Sequence, residues 1–268
     1  MSVQNLTVRR GHVLALDGVS LDTPGGRITA VVGGDGAGKT TLLEAMVGLV
    51  PATAGAVELV DRHDIGYMPS GAGSWADLTI DENMAFIGGA YGLGGAALAR
   101  RADELLGRAD LLGARDRLVG RLSGGMRQKF GFVLAMLHEP SLLIMDEPTT
   151  GVDPVSRVEL WRLISEATTA GTAVVISTTY MDEAERAGWV AVLDHGRLLL
   201  SGTPEEIVAS CPGEVTLVTS PHRPELAWRS GDRYRQWWPD GAPEGDPRPA
   251  ITLEDVCVVA SLRAAGVS

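Results

Sequence analysis

Lysine is nearly missing from this chain: two of its 23 basic residues, Lys39 and Lys129, are lysines and the rest are arginines. Basic charge is short altogether. Against 34 acidic residues it leaves a formal net charge of −11, which argues against a general nucleic-acid-binding surface. Cysteine is scarce too, and Cys211 and Cys257 are too few and too far apart in sequence for a disulfide framework or a metal site. The opening "MSVQNLTVRRGHV" lacks the apolar stretch of a secretory signal. Runs such as "ITAVV", "LLIM" and "AVVI" fall far below the roughly 18–20 residues that cross a bilayer. These absences lead us to expect a reduced, cytosolic chain.

What is present suits a folded α/β protein. With 45% hydrophobic and 21% charged residues the chain can bury a core, and 268 residues suit one large domain or a core with appended pieces. Residues 1–32 read as strands: "VQNLTVRR" and "VLALDGVSLDT" joined at Gly11-His12, then "RITAVV" after a turn at Pro24-Gly25-Gly26. "TTLLEAMVGLV" reads as a helix stopped by Pro51, with short strands "GAVEL" and "DIGYM" after it. Residues 70–140 carry helical patterns, and Leu98, Ala102, Leu105, Leu106, Ala109 and Leu112 fall on one helical face. Strand–helix alternation resumes with "SLLIMDE", a helix over about 154–170, "TAVVIST", a short helix over 180–187, "WVAVLD" and "RLLLSG". Such alternation implies a parallel sheet with helices on its faces, here with a helical insert at about 70–140. Beyond Cys211 the pattern weakens. "DGAPEGDPRPA" (240–250) reads as a loop and "ITLEDVCVVASLRAAG" as a final helix capped by Thr252. The expected division is a core over 1–210 and an extension over 211–268.

"GGDGAGKT", residues 33–40, fits G-x-x-x-x-G-K-[ST] between a strand and a helix. Gly33, Gly34, Gly36 and Gly38, with Asp35 and Ala37 among them, let backbone N–H groups converge on a β-phosphate without Cβ obstruction. The helix starting there, at Lys39, Thr40 and Thr41, adds a favourable dipole. Lys39 would reach the β- and γ-phosphates, and the Thr40 hydroxyl would ligate Mg²⁺. "LLIMDEP", residues 142–148, is an apolar strand ending in two carboxylates. Asp146 is placed to hold the metal's shell, directly or through water, and Glu147 to polarise an attacking water as general base.

"LSGGMRQK" (122–129), taken with "GGDGAGKTT", "LLIMDEP" and "TTGVDP" (149–154), resembles the nucleotide-binding domain of ABC transporters over about residues 1–210. The resemblance implies a P-loop NTPase core of α/β class, an N-terminal antiparallel β-subdomain, an inserted α-helical subdomain, and ATP with Mg²⁺ as ligands. It also implies that Ser123, Gly124, Gly125 and Met126 form a signature that caps the γ-phosphate of a second ATPase domain in a head-to-tail dimer. A hydroxyl, open amides and a helix N-terminus suit that anion. "TTGVDPVSR" and "YMDEAERA" resemble bacterial exporters of the drug-efflux and ABC-2 type, closest to the first ATPase half of tandem ATP-binding subunits. That implies a separate ABC-2-type permease, no nucleic acid, and a cytoplasmic place on the inner face of the cell membrane. Residues 70–91, with Trp75 and Phe86, would receive the permease's coupling helix, unless both aromatics are simply core.

Three positions depart from the family pattern. Ser70 stands where a glutamine contacts Mg²⁺ or its water. Arg10 stands where an aromatic stacks on adenine, although an arginine plane can also stack, with roughly 0.5–2 kcal/mol. Thr179 stands where the family has a switch histidine. None of His12, His63, His138, His195 and His222 lies within a small register shift of that position. Losing one donor aimed at transition-state charge costs roughly 10²–10³ in rate. With Glu147 kept, the expectation is a weakened site in an asymmetric ATPase pair, this chain lending its signature to a partner with the full catalytic set. Neutral drift, with Thr179 donating through water, is the bland alternative. A non-catalytic nucleotide-sensing or gating subunit and a soluble, non-transport ABC ATPase are the rival functions.

Overall fold

The computed structural model describes residues 2–23, 26–58 and 60–267. Pro24 and Gly25 of the expected turn, and Leu59 at the end of "GAVEL", lie outside the described residues. Strands β1 (Ser2–Arg10) and β2 (Val13–Asp22) turn at Gly11 and pair antiparallel. Their alternation buries Val3, Leu6, Val8, Leu16, Val19 and Leu21 on one face and leaves the other to solvent. Strand β3 (Ile28–Val32) is different, with all five residues buried, and helix α1 (Lys39–Met46) follows it. Strand β4 (Ala54–Glu58) returns to the first sheet, whose order is β2-β1-β4.

The central sheet adds β5 (Ile65–Met68), β6 (Leu142–Asp146), β7 (Ala173–Thr178), β8 (Trp189–Asp194) and β9 (Arg197–Gly202), in the order β5-β6-β7-β3-β8-β9. Every pairing is parallel except β8 with β9. Strands β3, β6 and β7 have no exposed face, which explains their unbroken apolar runs and the need for helices on both sides. Their carboxyl ends share one edge: Val32 pairs with Thr178, and Asp146 with Ser177. Ligands of open α/β sheets bind outside that edge.

The insert between β5 and β6 holds α2 (Ile80–Ala90), α3 (Gly95–Arg108) and α4 (Gly124–Ala135). On α3 the expected face is buried at Ala102, Leu105 and Leu106, and Ala109 just beyond is buried with them. Leu112 is 49% exposed instead, because the helix ends at Arg108 and a 3₁₀ turn breaks the 3.6-residue period. Helix α5 (Pro154–Thr169) precedes β7, and α6 (Met181–Ala184) is a single turn, shorter than 180–187. Helix α7 (Pro204–Ala209) leads into a second antiparallel sheet of β10 (Glu214–Val218), β11 (Ala227–Ser230) and β12 (Arg233–Trp238), ordered β10-β12-β11. These three strands escape a period-2 reading because polar residues stand on both faces: Arg235, two residues before the buried Trp237, pairs with Asp255, and Thr216 and Gln236 are buried on the other face. Helix α8 (Leu253–Ala264) closes their small core of Val215, Leu226, Trp237 and Val259. Its cap is Thr252, in a reciprocal box with Asp255.

Candidate functional site

The loop between β3 and α1 is squeezed by its neighbours. A Cβ at Gly33 would lie 2.3 Å from the Leu193 carbonyl oxygen, and one at Gly38, where φ is 105°, would lie 2.8 Å from that of Ala15. Only glycine fits either place. The β8–β9 turn clamps the loop from outside, Gly196 N–H donating to the Ala37 carbonyl at 2.9 Å. Among the described residues no side chain caps α1, so its first N–H groups have no intrahelical partner.

Lys39 Nζ donates to the carbonyls of Gly33 (2.8 Å) and Gly34 (3.1 Å) and stands 3.3 Å from Glu147 Oε1. The Thr40 hydroxyl donates to Asp146 Oδ2 at 2.9 Å, and Ser177 donates to Asp146 Oδ1 at 2.5 Å. Ser177 in turn accepts the Glu147 N–H at 2.9 Å, fixing a residue held at φ 47°, while Thr150 donates to Glu147 Oε2 at 3.2 Å. Two carboxylates at a strand end are thus oriented separately, Asp146 inward to Thr40 and Glu147 outward to Lys39. A hydroxyl and a carboxylate are hard oxygen donors. Mg²⁺ takes one or two such protein ligands and completes its shell with phosphate and water, so the pair fits it. The same burial and the charge of Asp146 push the Tyr67 phenol up to about 12, burial being the larger cause.

A cavity of about 410 Å³ joins this cluster to Val13, Leu14 and Ala15 of β2 and includes residues 35–41 and Glu147. Arg10 does not line it. Its guanidinium is paired with Glu44 of α1, which holds it against the flank of the helix. His195 does line it, brought in by the β8–β9 turn. That histidine is far from the loop in sequence, and only the sheet topology reveals its place. Thr179 falls beside Gly33 through the β3–β7 register, and both line a second cavity of about 1000 Å³ closed on its far side by α8. Ser70, exposed, follows two residues after β5, whose Met68 pairs with Met145 immediately before Asp146.

The "LSGGM" stretch lies elsewhere. Ser123 caps α4 by accepting the Met126 N–H at 3.2 Å, and Ser123 and Gly124 are exposed. None of residues 123–126 lines the Lys39 cavity. Gly125 is buried for packing: a Cβ there would stand 2.2 Å from Ser156 Oγ on α5. On α2 and the loop before it, Trp75 and Phe86 are 45% and 58% exposed and meet edge to face at 4.6 Å. They are a surface pair, not core. The buried Asn83 amide braces their loop, accepting from Trp75 N–H at 2.8 Å and donating to the carbonyls of Trp75 and Thr79 at 3.1 and 2.8 Å.

Comparison with known proteins agrees with this geometry. The family described as ABC transporter matches residues 16–150. "Probable multidrug ABC transporter ATP-binding protein YbhF" of Escherichia coli (strain K12) is 38% identical over 207 residues, 74% of this chain and 36% of that protein. "Daunorubicin resistance ATP-binding protein DrrA3" of Streptomyces coeruleorubidus is 35% identical over 226 residues, covering 80% of this chain and 71% of that one. The match thus spans about a third of YbhF and over two thirds of DrrA3. Among solved structures, "Structure of ATP binding subunit of ABC transporter" aligns with a TM-score of 0.71 and 29% identity, over 78% of this chain and 91% of that one.

Proposed function

The chain belongs to the ABC transporter family, and we propose that it binds and hydrolyses ATP as the energy-supplying subunit of an exporter whose permease is a separate ABC-2-type protein. One observation carries the reading. Lys39, Thr40, Asp146 and Glu147 meet in one cluster, although 106 positions separate Thr40 from Asp146.

The geometry supports a task for each of these residues. The loop amides of residues 35–40 orient the phosphates. Thr40 and Asp146 would hold Mg²⁺, with Ser70 at the same edge, and the ion supplies charge neutralisation on the phosphate oxygens when bound. Lys39 exchanges the Gly33 and Gly34 carbonyls and Glu147 for phosphate oxygens. Glu147, released from Lys39, accepts a proton from the attacking water. Thr179 stands where a stronger donor would face the γ-phosphate, so hydrolysis at this site is slow. Ser123, Gly124, Gly125 and Met126 serve a second ATPase domain that carries the full set. The Trp75–Phe86 surface receives the permease, a reading supported by the exposure of two adjoining aromatic rings. Among the described residues no helix is long and apolar enough to cross a membrane, and we place the subunit on the inner face of the cell membrane, with residues 1–210 as the ATPase unit and 211–268 as an appended one.

Titration with a fluorescent ATP analogue and Mg²⁺ tests the assignment. Lys39→Ala should weaken binding by at least tenfold, about 1.4 kcal/mol. Unchanged affinity in that variant refutes it.

A further inference from the structure

Away from the Lys39 cavity, one carboxylate has no solvent exposure and is answered by four donors. Glu183 of α6 accepts from Thr149 Oγ1 (2.5 Å), Arg157 Nε (2.8 Å) and Trp161 Nε1 (3.3 Å) on Oε1, and from Thr178 Oγ1 (2.6 Å) on Oε2. The other arm of Arg157 reaches both Asp182 oxygens at 2.7 Å, and its guanidinium lies 4.7 Å above the Tyr180 ring. Thr178 Oγ1 also accepts the Tyr180 N–H at 3.0 Å. The chain on both sides of Thr179 is therefore fastened to α5.

Burying an ion pair is a poor way to gain stability, since an apolar replacement often does as well. What this network supplies is a fixed geometry between segments. Thr149 lies at the start of "TTGVDP", and Asp153 caps α5 by accepting from the N–H groups of Val155 and Ser156. Ser156 in turn lies against Gly125, with no room for a methyl group between them. The first turn of α5 is thus wedged between the Glu183 network and the start of α4, where Ser123 is exposed. A continuous path runs from Thr179 through Thr178, Glu183, Arg157 and Ser156 to Gly125.

We infer that Arg157 and Glu183 are positioning residues that couple the chain's own phosphate site to the signature it presents to a second ATPase domain. The inference rests on the ATP-binding reading above. A γ-phosphate beside Thr179 shifts the 178–182 segment, the Arg157–Glu183 pair carries the shift to α5, and α5 moves the start of α4. By linkage, occupation of the signature alters affinity at Lys39 by the same factor.

Hydrogen–deuterium exchange on the full chain tests this, at a concentration where light scattering shows a monomer, with and without Mg²⁺ and a non-hydrolysable ATP analogue. In the natural chain the analogue should slow exchange in residues 33–41, 177–182 and 122–127. In Arg157→Gln, Glu183→Gln and the double variant, slowing should persist at 33–41 but be lost at 122–127, a change of about fivefold or more. The double variant should lose no more than either single one, because both residues lie on one path. Asp182→Asn, at the exposed arm of the same network, gives a partial loss and keeps the test alive should the buried variants misfold. The inference is overturned if residues 122–127 respond equally in all variants, or do not respond in the natural chain. Absence of slowing at 33–41 in the natural chain would instead refute ATP binding itself.

Discussion

Lys39 Nζ stands 3.3 Å from Glu147 Oε1, so the residue proposed to grip phosphate and the residue proposed to accept a proton are paired with each other. The lysine is 5% exposed and the glutamate 23%. On that proposal, a triphosphate entering the loop would compete with Glu147 for the same ammonium group, and binding and activation of the base would be one event.

The Glu147→Gln variant separates the two halves of that event. Removing the competing charge should leave affinity for a fluorescent ATP analogue equal or a few-fold tighter. Whatever turnover the chain shows alone should fall by roughly 10²-fold or more, the usual contribution of a general base. Phosphate release measured under single-turnover conditions checks this, and an unchanged rate would show that Glu147 is not the base.

The Arg10–Glu44 pair bears on the base of the nucleotide. With its guanidinium held against α1, the β2 side of the cavity, where the proposed nucleotide would set its base, is left to Val13, Leu14 and Ala15, whose side chains carry no group to read a purine edge. ATP and GTP should bind within about tenfold of one another, or 1.4 kcal/mol. Arg10→Ala should change that ratio little, and competition assays that include a ribose triphosphate lacking the base will show it. A large loss of affinity for ATP alone in Arg10→Ala would instead establish stacking.

How much of this was legible beforehand depended on whether the chemistry is local. The phosphate loop, the two carboxylates after β6 and the Thr252 cap each sit in one contiguous stretch, so residue type and spacing displayed them. Arg10 was legible as an anomaly, but its partner Glu44 was not, since a helix flank offers many acids and only packing selects one. His195 enters the cavity through the β8–β9 turn, a consequence of strand order that no spacing encodes. Thr178 and Thr179 look alike in "STTYMDE", yet one is buried on Glu183 and the other faces the P-loop glycines. Strands β10 and β12 bury the apolar Val215, Val218 and Trp237 beside the polar Thr216 and Gln236, and β11 has no fully buried residue, so no clean apolar alternation marks them.

Cys257 makes stability depend on alkaline pH. Burial first, and the Glu254 charge second, push its thiol from 9.0 up to about 12. The unfolded thiol ionises near 9 while the folded one keeps its proton, so over pH 9–12 the unfolded state binds fewer protons. Stability must fall as pH rises through that window, by at most about 1.4 kcal/mol per pH unit for this group. Urea midpoints at several pH values should show a shallower decline in Cys257→Ala. Tyr67, also raised, contributes equally to both chains and cancels. Identical slopes would contradict the burial of that thiol.

Trp75 and Phe86 offer a separable test of the proposed docking surface. Phe86→Asp adds a charge at an exposed position and removes the ring contact with Trp75, so the isolated chain should lose no more than about 1.5 kcal/mol of stability and bind ATP unchanged. It should lose co-purification with the permease. Cysteines placed at Ala76 or Asp77 should cross-link to the permease, and a failure to trap it at either position counts against this surface.

Thr179 decides whether the site is weakened. A threonine hydroxyl in place of a cationic or neutral imidazole removes a donor worth roughly 10²–10³ in rate. On the proposed reading the purified chain alone should therefore turn ATP over very slowly, and self-association should not help, because a homodimer would repeat the weakened site twice. Mixing with an ATPase domain that carries the missing histidine should restore activity. Ser123→Arg in this chain should then abolish that activity, since Ser123 is exposed at the α4 cap and away from its own Lys39. Glu147→Gln here should matter much less than the equivalent change in the partner. Thr179→His alone should raise the basal rate, with Ser70 limiting the gain. Turnover of about 1–10 per second by the chain alone, eliminated by Glu147→Gln, would mean that the site is complete as it stands and that another group, such as His195, which lines both cavities, supplies the donor.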